Sequence, residues 1–151
     1  PCAPPFHAII LKLGIVEPVW CHACFHVGRT LQKALVDDDP DPHFLGRGIG
    51  TALCRASVAW AREEGMAAVL APGAPDGMFA FAVWAGHLPQ RAYKRMGFQE
   101  AGVLEPGAEL PAWARGESPP HVMDEVGAAL TAGRPPESIH ERLMVCVPPA
   151  E

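Results

Sequence analysis

Short apolar runs separated by polar turns dominate the first part of the chain. Residues 6–14 and 19–28 are apolar and rich in β-branched side chains, as is typical of strands. Residues 31–36 are a candidate for a third strand. The acidic run at residues 37–42 (DDDPDP) predicts a loop, because proline lacks the N–H that a sheet requires and adjacent carboxylates repel each other. The pattern therefore predicts two or three strands followed by a loop.

The clearest periodic signal lies at residues 51–64. Ile49, Leu53, Ala56 and Trp60 follow one another at spacings of four, three and four residues, which places them on one face of a helix. Gly65 can take the left-handed conformation that ends such a helix. This segment predicts an amphipathic helix.

The remaining pattern predicts alternating strands and helices. Strands are expected at residues 66–71, 98–104 and 139–147, helices at 89–96 and 120–132, and loops at 72–77 and 105–119. The run at residues 78–85 is apolar throughout, so its period does not separate a strand from another buried segment. The order predicts one domain over residues 1–151, of the α/β or α+β class, with a mixed sheet flanked by helices.

The composition of the chain limits the classes of partner that we expect. The chain carries 12 Lys and Arg against 17 Asp and Glu, a formal net charge of −5, and no basic stripe, so no nucleic-acid partner is expected. No run is long enough to span a membrane and no secretory signal is readable, so a cytoplasmic protein without a membrane partner is expected. Five cysteines at scattered spacing predict reduced thiols in a reducing compartment.

The segment CHACFH at residues 21–26 raises the question of a metal site. A strand would send Cys21 and Cys24 to opposite faces, whereas a zinc knuckle needs both on one turn. His22, Cys24 and His26 would share a face, but no second CxxC pair is present to complete a site. No metal site is predicted.

Three glycines in five residues precede the periodic helix. Gly46, Gly48 and Gly50 expose successive backbone N–H groups at a helix N-terminus, which suits a pyrophosphate, and Arg47 and Thr51 can add charge and a hydroxyl. The P-loop pattern fails because glycine, not lysine, precedes Thr51. The dinucleotide fingerprint fails because it needs a glycine at position 51 or 53.

Two motifs in this region resemble the GNAT acetyltransferases. The first family signature is Arg or Gln, two residues, Gly, any residue, then Gly or Ala; Leu45, Gly48 and Gly50 stand at its positions in GRGIGTAL, and Leu45 departs from the usual residue. The second is a short helix that ends in Tyr, three residues, Gly-Phe, which AYKRMGF matches with Tyr93. Gly86 stands where the family commonly has asparagine. The resemblance covers residues 42–104.

This resemblance implies a fold and a cosubstrate. It implies a mixed, mostly antiparallel sheet whose central strands splay to admit the pantetheine arm of acetyl-CoA. It assigns the pyrophosphate to a loop made of Leu45, Gly46, Arg47, Gly48, Ile49, Gly50 and Thr51.

The same resemblance implies a reaction. Acetyl-CoA would donate its acetyl group to a primary amine of a small molecule or a peptide by direct attack, with Tyr93 as the general acid for the leaving thiolate. The alternative for Tyr93 is a ring that packs on the core. Glu17, residues 37–39, His22 and His26 are candidates for the base. A homodimer is left open.

Other functions stay open. A non-catalytic acyl-CoA-binding or regulatory domain on the same fold would fit the altered positions Leu45 and Gly86. A nucleotide-binding α/β protein could use the same glycine loop. The front half is short for the family, so the sequence predicts either a truncated domain or segments that are missing near residue 37.

Overall fold

The computed structural model describes residues 12, 14–15, 18–22, 46–104 and 118–147, and these residues form a sheet flanked by helices. The strands are β1 (Val19–Cys21), β2 (Ala68–Gly73), β3 (Gln99–Val103) and β4 (Arg142–Cys146). The helices are α1 (Ile49–Glu63), α2 (Phe79–Ala85), α3 (Gln90–Arg95) and α4 (Pro120–Thr131), with a 3-10 helix at Pro136–Ile139.

The sheet is mixed, with the strand order β1-β2-β4-β3. Strand β1 lies parallel to β2, with Val19 opposite Ala68. The β2–β4 and β3–β4 pairs are antiparallel, and the β3 register shifts between Glu100 and Gly102. The predicted combination of a mixed sheet with flanking helices is therefore confirmed.

Alternation along the strands sorts their side chains onto two faces. On one face Val69 and Ala71 of β2 join a core cluster with Met144, Tyr93 and Phe98. On the opposite face, a second cluster contains Ala68, Leu70, Leu143 and Val145. This period of two is what a strand imposes, and it places α1 and α3 against the first face.

Helix α1 confirms the predicted helix but not the face that its apolar residues were expected to bury. Leu53 is 46% exposed and Trp60 is 40% exposed, whereas Cys54 and Ala61 are fully buried. Cys54 and Ala61, both small, join the core cluster on the sheet, and a Cβ added at Gly50 would lie 3.0 Å from Leu88 Cδ2. Close packing therefore selects the small-residue face over the larger apolar one.

The ambiguous run at residues 78–85 forms helix α2, so the strand alternative is wrong. The helix packs on α4, and both contribute to a cluster that includes Met78, Phe81 and Val122. Glu125 of α4 accepts hydrogen bonds from the backbone N–H groups of Ala80 and Phe81, at 3.1 and 3.0 Å. A carboxylate on α4 thus supplies the N-terminal cap that α2 lacks in its own sequence.

Most of the other predicted helices and strands are confirmed, and one strand is wrong. The helices expected at 89–96 and 120–132 and the strands expected at 66–71 and 98–104 are present with ends shifted by up to two residues. The strand expected at residues 6–14 is wrong where the structure describes it, because Lys12 is helical and Gly14 forms a turn.

The expected loop at 72–77 begins inside β2, and the expected last strand begins at Arg142 because Pro136–Ile139 forms the 3-10 helix. The predictions for residues 23–45 and 105–117, including the acidic loop, lie outside the described residues. No helix in the described ranges is long and apolar enough to cross a membrane.

Candidate functional site

The glycine loop enters helix α1 through left-handed backbone conformations. Gly46 has a φ of 71° and Gly48 a φ of 75°, a region that residues with a side chain adopt at a cost. Gly48 is the N-cap, and the Ala52 N–H donates to its carbonyl oxygen at 2.9 Å, so the helix begins at Ile49. Glycine is therefore favoured at these two positions, because it adopts a positive φ without a steric cost.

The loop presents an open, uncrowded helix N-terminus. Gly46, Arg47 and Gly48 are exposed, and a Cβ added at either glycine would meet no heavy atom of the described residues within 4 Å. The first-turn N–H groups of Ile49 and the two residues after it have no partner inside the helix. No acidic residue lies in this first turn. Such a terminus attracts anions, because unpaired N–H groups and the helix dipole act together.

Leu88 connects the loop to Tyr93. Its side chain contacts the helix at Gly50, and its backbone hydrogen-bonds with Tyr93. Its carbonyl oxygen also accepts a hydrogen bond from the Ala74 N–H at 3.0 Å, which anchors this segment at the end of β2. The predicted loop and the predicted acid are therefore neighbours in space, while Leu45 lies outside the described residues.

Tyr93 is a core residue of helix α3. Only 1% of it is exposed, and its ring lies 5.0 Å from the Phe98 ring. Burial raises the pKa of its phenol above the ordinary value, nearby Cys54 and Glu141 add to the rise, and the Leu88 hydrogen bond opposes it. The phenol is therefore a protonated donor at neutral pH, and its ring packs as the structural alternative predicts.

Two free thiols beside Tyr93 are buried. Cys54 and Cys146 belong to the same core cluster as Tyr93. Burial raises the pKa of the Cys54 thiol to about 12 and also raises the pKa of the Cys146 thiol. Because the thiolate is the nucleophile, neither thiol is suited to covalent catalysis.

His87, which directly precedes Leu88, forms a histidine–carboxylate pair with Glu141 that the sequence did not predict. Nδ1 of His87 lies 2.5 Å from Oε1 of Glu141, and each side chain is 16% exposed. Glu141 is also close enough to Tyr93 to raise the pKa of its phenol. No local motif could have predicted the pair, because its two residues are 54 positions apart in the chain.

A second polar cluster ties β1 to α1. The Trp20 indole N–H donates to the Ser57 hydroxyl oxygen at 2.8 Å, and Nε2 of His22 lies 2.8 Å from the same oxygen. His22 is 5% exposed, and burial lowers the pKa of its imidazole from the ordinary 6.5 to about 4. His22 is therefore neutral at physiological pH, and its role here is to hold the edge strand on the helix.

We expect this buried histidine to make the protein less stable in mild acid. The unfolded chain binds a proton at His22 below pH 6.5, whereas the folded chain binds it only below about pH 4. The free energy of unfolding should fall as pH decreases through this window, by at most about 3 kcal/mol. Urea unfolding of the wild type and of His22→Gln at pH 7 and pH 4.5 measures the effect.

His22→Gln is the matched variant because its side-chain oxygen can still accept from Ser57 but does not titrate. The drop in stability between the two pH values should be smaller in the variant than in the wild type. Carboxylates titrate in both proteins and cancel in the difference. The same drop in both proteins would contradict the assignment of a neutral, buried His22.

The cysteine–histidine segment at residues 21–26 is only partly described. Cys21 is disulfide-bonded, so the prediction of reduced thiols is wrong for this residue. Cys24 and His26 lie outside the described residues. Elsewhere, the described ranges contain no group of three or more side chains that could hold a metal ion.

Of the predicted bases, Glu17, His26 and residues 37–39 lie outside the described residues. His22 is described, and its Nε2 lies 2.8 Å from the Ser57 hydroxyl oxygen. The described part of the chain therefore brings together the loop, Tyr93 and the unpredicted pair His87–Glu141.

Comparison with known proteins adds no relative. No family model matches the chain, and no curated protein or solved structure is significantly similar to it.

Proposed function

We propose that the chain is an acetyl-CoA-dependent N-acetyltransferase of the GNAT type that acts on a primary amine. The observation that carries this proposal is the open glycine loop at the N-terminus of α1, joined through Leu88 to the phenol of Tyr93. A glycine-rich helix N-terminus can hold the pyrophosphate of CoA, and a phenol can supply the proton that the leaving thiolate takes.

In this proposal the pyrophosphate of CoA lies on the backbone N–H groups of residues 46–51. Arg47 is exposed at the rim and can add a positive charge without entering the site. Gly46 and Gly48 leave room for phosphate oxygens to approach the backbone. Thr51 is partly buried in the first turn, where its hydroxyl can donate a further hydrogen bond.

The pantetheine arm would enter beside the parallel pair β1–β2. The register of this pair ends at Cys21 opposite Leu70, and the His22 N–H donates to the Leu70 carbonyl oxygen at 2.8 Å. Strand β2 continues for three residues to Gly73, so its backbone extends beyond this pairing toward Leu88. A backbone edge of this kind can hydrogen-bond an extended ligand through the Pro72 carbonyl oxygen, although Pro72 has no N–H to donate to a thioester carbonyl.

The chemical step would be a direct attack. The amine nitrogen forms a bond to the thioester carbon, the carbon–sulfur bond breaks, and the CoA thiolate takes the proton of Tyr93. The nitrogen loses one proton to solvent and Tyr93 regains one, so the enzyme ends unchanged. The products are the acetamide and free CoA. Positioning of the two substrates supplies most of the rate enhancement, because no covalent enzyme intermediate is formed.

A non-catalytic acyl-CoA-binding domain is the second candidate. The burial of Tyr93 favours it, because the acetyl group reaches the phenol only if the side chains around it give way. Such a domain would use the same loop for the pyrophosphate and would release no thiol in the presence of amines.

Two measurements test these candidates. Isothermal titration of the protein with acetyl-CoA, CoA and ATP should show binding of both CoA species and no comparable binding of ATP. A thiol-release assay with acetyl-CoA and a panel of primary amines should then show amine-dependent CoA production. Binding without thiol release would leave only the second candidate, and absence of CoA binding would overturn both.

A further inference from the structure

Helix α3 carries an exposed basic surface that the proposed reaction does not use. Arg91, Lys94 and Arg95 are three of its six residues, and all three are exposed. Tyr93, which lies between them, is only 1% exposed and packs in the core. Residues two positions before and after Tyr93 are turned by about 200° around the helix axis, so both arginines point away from the core. We call Arg91 and Arg95 the arginine pair.

The carboxylates around this surface are engaged with other groups. Oε2 of Glu100 accepts a hydrogen bond from Nζ of Lys94 at 2.9 Å, and Oε1 of the same carboxylate lies 3.6 Å from Nε of Arg142. Oδ1 of Asp76 accepts the backbone N–H of Arg91 at 3.0 Å. Within the part of the chain that the structure describes, neither guanidinium of the arginine pair lies within ion-pair distance of a carboxylate.

The arginine pair is placed against its local electrostatics. Two like charges four residues apart on a helix repel each other. Arg91 also lies in the first turn of α3, where a cation opposes the helix dipole and where the helix has no acidic residue of its own. Packing does not require this arrangement, because Tyr93 anchors α3 with its ring 5.0 Å from the Phe98 ring. Unpaired charges that weaken a helix suit a partner of the opposite charge.

The spacing of the arginine pair indicates the chemistry of that partner. Residues four apart on a helix are separated by about 6 Å along its axis. Alternate side chains of an extended peptide are about 6.8 Å apart, and a guanidinium can bind a carboxylate through two parallel N–H donors. A nucleic acid matches less well, because the one aromatic residue of α3, Tyr93, is buried and cannot stack on a base.

We propose that the arginine pair binds an acidic segment of a protein partner, with carboxylates at alternate positions of an extended chain. Each guanidinium takes one carboxylate. Lys94 and Arg142, which share the single carboxylate of Glu100, add positive potential beside the pair. This binding surface involves no chemical step and does not depend on the proposed acetyl transfer.

The test measures how tightly the full chain binds a fluorescently labelled peptide in which glutamate alternates with serine. Fluorescence anisotropy should show binding that weakens as salt is added, because salt screens exposed charges. Arg91→Gln/Arg95→Gln should weaken binding about tenfold, as expected for the loss of two exposed ion pairs. Arg91→Lys/Arg95→Lys should bind with intermediate affinity, because lysine keeps the charge but lacks the two parallel donors.

Matched controls separate a site on α3 from general charge attraction and from misfolding. Arg62→Gln removes the same charge from the last turn of α1 and should leave the peptide affinity unchanged. A peptide with glutamine in place of glutamate should not bind measurably. The double glutamine variant loses the repulsion within α3, so its thermal midpoint should equal or exceed that of the wild type. The single variants Arg91→Gln and Arg95→Gln give the same comparison if the double variant does not fold.

Each comparison can contradict the inference. Absence of salt-dependent binding to the wild type would overturn it, as would equal affinity of the wild type and the folded double glutamine variant. An equal loss of affinity in Arg62→Gln would show general attraction by the charge of the chain and no site on α3. Tighter binding of a single-stranded oligonucleotide of the same charge would overturn the choice of a protein partner.

Discussion

Replacing Gly48 with aspartate is expected to weaken acetyl-CoA binding about a hundredfold or more. Gly48 is the N-cap of α1, and a Cβ at this position points into open space, where the proposed pyrophosphate would lie. Two unit charges of like sign about 5 Å apart repel by about 3 kcal/mol at the effective dielectric constant near a protein surface. This corresponds to a loss of affinity of about a hundredfold or more.

Gly48→Asn is the matched control for this charge. Asparagine and aspartate have the same shape, and both tolerate the left-handed conformation that Gly48 adopts at a φ of 75°. The two variants should have similar thermal stability, and asparagine should bind acetyl-CoA more tightly than aspartate. Equal affinities in two folded variants, measured by titration, would show that no phosphate lies at this loop.

Tyr93→Phe is expected to reduce turnover about a hundredfold, the typical contribution of a general acid. Phenylalanine keeps the contact of the ring with Phe98 and removes the proton that the thiolate would take. Affinity for acetyl-CoA should change little, because Tyr93 is not part of the loop that would hold the pyrophosphate. The thiol-release assay and the titration measure the two quantities separately.

The stability of Tyr93→Phe must be measured alongside its turnover. The variant loses the hydrogen bond with the Leu88 backbone, which costs about 1 kcal/mol. Urea unfolding at neutral pH should show this small loss and a single transition. If the folded variant turns over as fast as the wild type, the ring of Tyr93 has only the packing role that its burial in the core already explains.

The period of apolar residues was sufficient to predict α1, but not the way in which it packs. Ile49, Leu53, Ala56 and Trp60 do share one face, yet two of them are among the most exposed large apolar side chains in the described ranges. The face that packs on the core carries Cys54 and Ala61, and Leu88 lies close to Gly50 at the start of the helix. Periodicity shows which residues share a face, and only the neighbouring elements decide which face is buried.

The run at residues 78–85 illustrates a different limit. A segment that is apolar on every side has no period, so neither strand nor helix can be read from it. Helix α2 forms because α4 covers its apolar side and Glu125 caps its first N–H groups. Glu125 lies 45 and 44 residues along the chain from Ala80 and Phe81, whose N–H groups it caps.

The candidate site also has features that the sequence determines and features that only the tertiary structure determines. The sequence alone determined the glycine loop and the helix that follows it, because backbone conformation and period are local properties written in consecutive residues. It also singled out Tyr93 by its motif. Only the tertiary structure decided that Tyr93 is buried, that Leu88 joins it to the loop, and that His87 meets Glu141. These contacts depend on how the sheet and helices pack, and no local pattern specifies the distance between residues that are dozens of positions apart.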